Sequence, residues 1–282
     1  MSTVLVADIG GTSSRWMARF ADGSQRAWQG LPGFNAAVGD PLPFTAAVID
    51  TVAKDLSGPT SLFVYAAGCG TAARASRMED VLRRCWPQAE ITVASDLVGA
   101  ALGLLAPRPG LVLILGTGMN AGYFDGQELK RTLPSLGYIL GDEGSGADIG
   151  KYVVTDAIHG RIPESIRSLI LPPEFDLPMV VDQLYRGRAP QAWLASFAKP
   201  LSTLTDEPYV DRLIRGRFSA LADRIEDVFQ ERERTSMVAS GSVALGFKLI
   251  LTAVLGSRGI SVTDVQPSPM EGLLAYHSRQ LR

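Results

Sequence analysis

Apolar and polar positions along the chain fall into two similar runs. Val4-Leu5-Val6-Ala7 is an unbroken apolar stretch leading into Asp8-Ile9-Gly10-Gly11-Thr12; Ser13 to Phe20 follows, then Asp22-Gly23, then Gln25 to Gln29. The order recurs from Leu111: Leu111 to Leu115, Gly116-Thr117-Gly118, Asn120 to Phe124, Asp125-Gly126, and Glu128 to Leu133. Each run predicts strand, glycine/threonine turn, strand, Asp-Gly turn, strand. Asp-Gly between strand-like segments predicts a type I′ hairpin, which needs positive φ at both central residues. The Gly/Thr turns predict something further. Without Cβ atoms the backbone can approach a ligand closely, successive N–H groups can form an anion-binding nest, and the Thr hydroxyl adds a donor. Two such turns in one chain predict two halves that hold one polyphosphate.

Elsewhere the pattern turns helical. A helix is predicted from Pro43 to Leu56, with proline in its first turn and a stop at Ser57-Gly58-Pro59. Ser61 to Ala66 reads as a buried strand, Thr71 to Trp86 as a helix ended by Pro87, and Glu90 to Ala94 as a strand running into Ser95-Asp96. Leu97 to Leu105 is a further helix. The joint Pro107-Arg108-Pro109 marks a domain boundary, with residues 1–106 before it and 107–267 after it. The second part predicts a helix from Gly144 to Ile158 with Ser145 as N-cap, a proline-interrupted, mostly helical stretch from Pro163 to Pro200, and a long helix from Pro208 to Arg234. Then come a strand at Met237 to Ala239, a helix from Ser240-Gly241-Ser242 to Leu255, a strand from Ile260 to Val265, and a terminal helix from Met270 to Gln280. Strands mixed with helices on this rhythm predict an α/β fold.

Composition narrows the classes. A chain of 282 residues, 46% apolar and 20% charged, has the make-up of a globular protein with a large core. A net charge of −2 gives no reason to expect nucleic acid or an anionic membrane as partner. No apolar run reaches the roughly 18 residues of a membrane span. Met1-Ser2-Thr3-Val4 carries no cationic segment and Asp8 interrupts the apolar stretch, so no signal peptide is expected. Two cysteines, Cys69 and Cys85, fit a reducing compartment, and the cytoplasm is the expected location. His159 and His277 leave little room for a histidine metal site.

Several positions carry candidate chemistry. Asp8 closes a buried strand, where a carboxylate needs a partner. Hydrated Mg²⁺ is a natural one, since it takes one or two carboxylates plus phosphate oxygens. Asp96 reads either as a helix N-cap or as a base projecting into the cleft of an α/β layer. Leu136-Gly137-Tyr138-Ile139-Leu140-Gly141-Asp142-Glu143-Gly144-Ser145-Gly146 combines dense glycines with two adjacent acids, which suits a pocket for the hydroxyl groups of a polar ligand. Ser240-Gly241-Ser242 reads either as a capped helix start or as a backbone shelf for an α-phosphate or adenosine. Asn35, in Gly33-Phe34-Asn35, is a loop amide that turn chemistry explains equally well. Gly68-Cys69-Gly70-Thr71-Ala72-Ala73 traces the G-x-G-x-x-A outline of a dinucleotide fold. The antiparallel hairpins ahead of it argue against that fold, and helix packing near a cleft accounts for these glycines.

Together these segments resemble the sugar kinase/actin/Hsp70 ATPase superfamily, and within it the N-acetylglucosamine kinase branch, often labelled BadF/BadG/BcrA/BcrD ATPase. Asp8 to Thr12 is similar to the first phosphate motif, Leu115 to Asn120 to the second, and Ser240 to Ala244 to the adenosine motif. Gly137 to Ser145 is similar to the amino-sugar kinase signature. The resemblance implies a two-lobed actin-like ATPase fold, each lobe a mixed sheet of ribonuclease H-like type flanked by helices, with segment 268–282 packing back on the first lobe. It implies ATP and Mg²⁺ as cofactors, the ion held through water by Asp8. Gly10, Gly11, Thr12, Gly116, Thr117 and Gly118 would contact phosphates, and Gly241 and Ser242 the adenosine. Asp96 would be the catalytic base, and Asn35, Leu136, Gly137 and Asp142 would bind the sugar. The implied reaction is phosphorylation of N-acetylglucosamine at its 6-hydroxyl by a cytoplasmic homodimer. Glucosamine or N-acetylmuramic acid, a CoA-dehydratase activator, and a non-enzymatic sugar sensor are the alternatives. The chain departs from many branch members at Ser13, where they carry Lys, and at Arg15, where they carry Asp. It has Ser135-Leu136-Gly137 where some relatives have Gly-Trp-Gly.

Overall fold

A computed structural model describes residues 3–37, 39–56, 58–59 and 61–280. The described residues divide into two compact units, one within Met1–Pro109, Gly126–Leu129 and Ser268–Arg282, the other within Gly110–Asp125 and Lys130–Pro267.

The first unit is built on β1 (Val4–Ile9), β2 (Ser13–Arg19) and β3 (Gln25–Pro32), followed by helix α1 (Pro41–Val48), β4 (Ser61–Ala66), helix α2 (Ala72–Arg83), β5 (Glu90–Ser95) and helix α3 (Asp96–Leu104). The strands form one sheet in the order β3-β2-β1-β4-β5. β1, β2 and β3 pair antiparallel, and β1, β4 and β5 pair parallel. The continuous apolar run of β1 follows from burial on both faces. Alternation sends Leu5, Ala7 and Ile9 into a core with Trp16, Phe44 and Trp86, and Val4 and Val6 into another with Tyr65, Met270 and Leu273.

The second unit repeats the order. β6 (Gly110–Leu115), β7 (Met119–Phe124) and β8 (Leu129–Thr132) lead into helices α4 (Gly137–Leu140), α5 (Gly146–Ile158), α6 (Glu164–Ile170), α7 (Leu177–Tyr185), α8 (Pro190–Ser196), α9 (Ala198–Leu201) and α10 (Pro208–Val228). Then come β9 (Met237–Ser240), α11 (Ser242–Gly246), α12 (Lys248–Ser257) and β10 (Val262–Gln266). The sheet reads β8-β7-β6-β9-β10, the same sequence of neighbours as in the first unit. α13 (Met270–Gln280) then packs on α3, β1 and β2 of the first unit. Among the described residues no helix is long and apolar enough to cross a membrane.

Four local differences from the sequence reading have physical causes. Neither Asp-Gly turn is type I′, because among described non-glycine residues only Asp142 has positive φ. The first hairpin instead closes through Phe20 N to Ser24 O at 2.9 Å, with Gly23 at φ 89° and Asp22 Oδ1 accepting from Ser24 N at 2.9 Å. That is a three-residue loop with glycine in the left-handed position. α1 begins earlier than Pro43 because Asp40 caps it, accepting from Leu42 N at 3.0 Å, and it continues through a π-helical turn at Ile49–Ala53. Ser57, of the expected stop, lies outside the described residues. α10 ends at Val228 because Phe229 turns extended and is buried in the core. The helix expected from Ser242 to Leu255 breaks at Phe247, likewise buried.

Candidate active site

In the first unit the strand alternation places Asp8 on the Val4/Val6 face, at the carboxyl end of β1. α3 covers that face, with Val98 and Leu102 packed against it, and its first residue is Asp96. Two carboxylates from different strand ends therefore share one electrostatic environment. Burial pushes the Asp8 carboxyl up from 3.8 to about 6; the negative charge of Asp96 adds to the rise and Arg15 opposes it. Arg15 reaches Asp8 because the two are cross-strand partners in the β1–β2 ladder, with Nη1 3.8 Å from Oδ2. Of the two readings of Asp96, the N-cap belongs to its neighbour. Ser95 Oγ accepts from Val98 N, while Asp96 Oδ1 accepts from Leu97 N at 2.8 Å.

The turn Gly10-Gly11-Thr12 is closed by Gly10 N donating to Ser13 O at 2.9 Å, so that donor is already committed. The loop bearing Asn35 lies directly on this turn, with Phe34 N donating to Gly10 O at 3.1 Å. Only glycine fits at 33, since a Cβ there would stand 2.2 Å from Gly10 O. Asn35 Oδ1 accepts from Ala37 N at 2.9 Å, which leaves the Nδ2 group as the part of this amide suited to a ligand. Gly68, of the dinucleotide-like outline, packs against Asn35 Oδ1.

A raised carboxylate carries a stability signature. Between pH 3.8 and about 6 the folded state keeps an Asp8 proton that the unfolded chain has released, so the ionised side chain costs stability as pH rises through this window. Asp8→Asn should therefore raise the unfolding free energy by on the order of 2–3 kcal/mol at pH 7.5 and change it little at pH 4. Melting curves without nucleotide across that range check this; a constant offset between variant and wild type would refute it.

In the second unit, the turn Gly116-Thr117-Gly118 is closed by Gly116 N to Gly118 O at 3.0 Å. It is fixed to the start of α5, where Gly146 N donates to Gly116 O at 2.8 Å and Ala147 N to Thr117 O at 3.1 Å. Two N–H groups that a helix start leaves without intrahelical partners are thereby used. Gly241, at φ 112°, carries the Ser240–Ser242 corner against the end of β6, with no side-chain cap on α11. Ser242 Oγ comes near Gly116.

Asp142 stands at φ 61° and is buried. Burial pushes its carboxyl from 3.8 up to about 6, against a hydrogen bond from the Met119 backbone and attraction to Lys151. Asp142 abuts the phosphate-type turn so closely that a Cβ on Gly118 would stand 2.9 Å from its Oδ2. Gly137, at φ 72°, opens α4, and Leu136 at its N-cap is exposed and leans on Gly141. The single turn of α4 thus brings Leu136 back against Gly141, the residue before Asp142.

The sequence reading missed a buried acid beside this segment. Asp148 accepts from Gly144 N at 2.9 Å and Arg217 Nε at 2.8 Å through Oδ2, and pairs with Lys151 at 3.4 Å through Oδ1. Lys151 Nζ also donates to Tyr138 O at 2.9 Å. The glycine-rich segment is therefore held at Tyr138 and at Gly144 by two residues in the first turns of α5. The signal was present, because Ser145 followed by Asp148 fits the [ST]-x-x-[DE] helix-start pattern. Gln191, whose Nε2 donates to Asp142 Oδ2 at 3.3 Å, was also missed.

No protein-family model matches the chain. A crystal structure of an inferred N-acetylglucosamine kinase from Porphyromonas gingivalis superposes with a TM-score of 0.86 at 30% identity, covering 99% of this chain and 100% of that one. A ROK-family glucokinase from Streptomyces griseus, solved with glucose and AMPPNP, superposes with a TM-score of 0.59 at 16% identity over 99% of each chain. A curated N-acetylmuramic acid/N-acetylglucosamine kinase from Clostridium acetobutylicum is 29% identical over 105 residues, which are 37% of this chain and 34% of that protein's length.

Proposed function

The chain belongs to the N-acetylglucosamine kinase-like family of the sugar kinase/actin/Hsp70 superfamily, and from that membership we propose that it phosphorylates an amino sugar with ATP, the 6-hydroxyl of N-acetylglucosamine being the acceptor. The observation that carries this reading is the repeated five-stranded order, with a Gly/Thr turn at the same corner of each sheet and carboxylates beside both turns.

Phosphoryl transfer leaves little covalent work for a protein, so positioning and charge neutralisation dominate. Gly10, Gly11 and Thr12, with Gly116, Thr117 and Gly118, are assigned to the phosphates, and Gly241 and Ser242 to the adenosine. Asn35, Gly137 and Asp142 are assigned to sugar hydroxyls, with Leu136 at the edge. Asp96 accepts the proton of the attacking hydroxyl, and Arg15 adds positive charge next to Asp8. The residues present fit Mg²⁺, because Asp8 offers hard oxygen donors and a divalent cation beside it would offset the repulsion between Asp8 and Asp96. Asp8 would hold the ion through water, and the bound ion would neutralise phosphate charge.

Burial pushes the Cys69 and Cys85 thiols up to about 11, and Cys69 follows β4 whereas Cys85 follows α2, so the two cysteines stand on separate segments of the first unit. The test is ADP release over a panel holding N-acetylglucosamine, glucosamine, N-acetylmuramic acid and simple hexoses. N-acetylglucosamine should give the highest kcat/KM, with the product phosphorylated at O6. Absence of sugar-dependent ADP formation across the panel defeats the reading, and sugar binding without ADP formation would point to a sensor.

A further inference from the structure

We infer that Gln191 is a positioning residue for Asp142, holding its carboxylate in one orientation toward the substrate; this rests on the assignment of Asp142 to the sugar. Asp142 is the only non-glycine residue among those described with positive φ, so its backbone offers it an unusual direction and no helical neighbours to steady it. Its carboxylate has two chemically equivalent oxygens and turns about its terminal bond unless something distinguishes them. Gln191 shares that task with the Met119 backbone donor, giving a hydrogen bond from Nε2 to Oδ2 at 3.3 Å. Gly118 forms the wall behind both groups, its Cβ position 2.9 Å from Asp142 Oδ2 and 3.2 Å from Gln191 Nε2.

The support is rigid. Gln191 lies in the first turn of α8, and α8 packs against α5 so closely that a Cβ on Gly150 would stand 1.9 Å from Leu194 O. The same α5 carries Lys151 and Asp148, which hold the segment on either side of Asp142. The charged groups acting on Asp142 are Lys151, which favours its ionised form, and Glu143 and Asp148, which oppose it. Gln191 is a neutral donor among them. It stabilises the carboxylate without the full charge that a lysine or arginine would place beside a sugar. Glutamine at this position therefore adds to the Met119 backbone donor in fixing the orientation of the Asp142 carboxylate, and losing its N–H disfavours the ionised form.

Gln191→Leu keeps the size and removes the donor. In the ligand-free protein, ¹³C-carboxyl NMR should show the Asp142 midpoint, about 6 in the wild type, moving upward by about one unit. At pH 7.5 the KM for the accepted sugar should rise about 10-fold while kcat stays within about twofold, and the acid limb of kcat/KM should shift upward with the NMR midpoint. Gln191→Ala gives the same comparison should the leucine variant fail to fold. An unchanged Asp142 midpoint in a folded variant overturns the inference, as does a loss confined to kcat. Asp142→Asn separates the premise. If it leaves the sugar KM unchanged while Gln191→Leu still moves the Asp142 midpoint, the sugar assignment of Asp142 fails and its coupling to Gln191 stands.

Discussion

Asp96→Asn is expected to leave the protein folded and to lower its turnover by about 10²- to 10⁴-fold, the usual contribution of a positioned general base. The fold should survive because the helix does not depend on this carboxylate for its cap. Ser95 caps α3, and an asparagine oxygen can still accept from Leu97 N as Asp96 Oδ1 does at 2.8 Å. What disappears is a charge in the first turn, worth about 0.3–1 kcal/mol at a helix start, and the ability to take a proton. KM for sugar and nucleotide should change little, so the loss falls on kcat and kcat/KM alike. A second signal comes from Asp8. The charge of Asp96 helps hold the Asp8 carboxyl at about 6, so removing it should move the Asp8 midpoint downward. Steady-state kinetics and carboxyl NMR on the purified variant check both. A wild-type rate would remove Asp96 from the chemistry, and an unmoved Asp8 midpoint would deny the coupling between the two strand ends.

These two carboxylates illustrate what the sequence makes legible. Asp8 and Asp96 stand out because each closes an apolar run, and strand alternation decides which face Asp8 shares. The doubled strand–turn–strand order is equally visible, since period-2 burial and glycine corners leave marks in consecutive residues. Marks of other kinds are weaker. α4 is four residues long, too short for a helical period to register. The stretch Pro163 to Pro200 resolves into α6 to α9, each brief and the first three started by their own proline or capping acid, so no amphipathic stripe extends across it. Phe229 and Phe247 end helices because the core takes them, which overrides local helix preference. Gln191 acts through a partner 49 residues away, and Asp148, though its place at the helix start is legible in the spacing from Ser145, owes its Arg217 partner 69 residues away to packing.

Asp148 carries the largest stability prediction. Its side chain is 3% exposed and that of its partner Arg217 14%, so the pair is desolvated, with Nε 2.8 Å from Oδ2. Arg217 is further held over the Tyr152 ring at 4.0 Å, and Gly144 N donates to the same Oδ2. Asp148→Asn presents an amide that can satisfy one of those donors and must turn its own N–H₂ toward the others. Arg217 is then left as an uncompensated buried cation. Breaking such a pair from one side costs about 3–5 kcal/mol. The urea midpoint of the second unit should fall accordingly, and the sugar KM should rise because Gly144, beside Asp142, loses its anchor. Adding Arg217→Met to Asp148→Asn should recover most of the stability, since removing both charges leaves neither unpaired, and it should ease the KM defect, because the amide oxygen no longer has Arg217 competing for it and can accept from Gly144 N. A loss below about 1 kcal/mol in Asp148→Asn would mean that water reaches the pair and that the segment around Asp142 is held by its backbone alone.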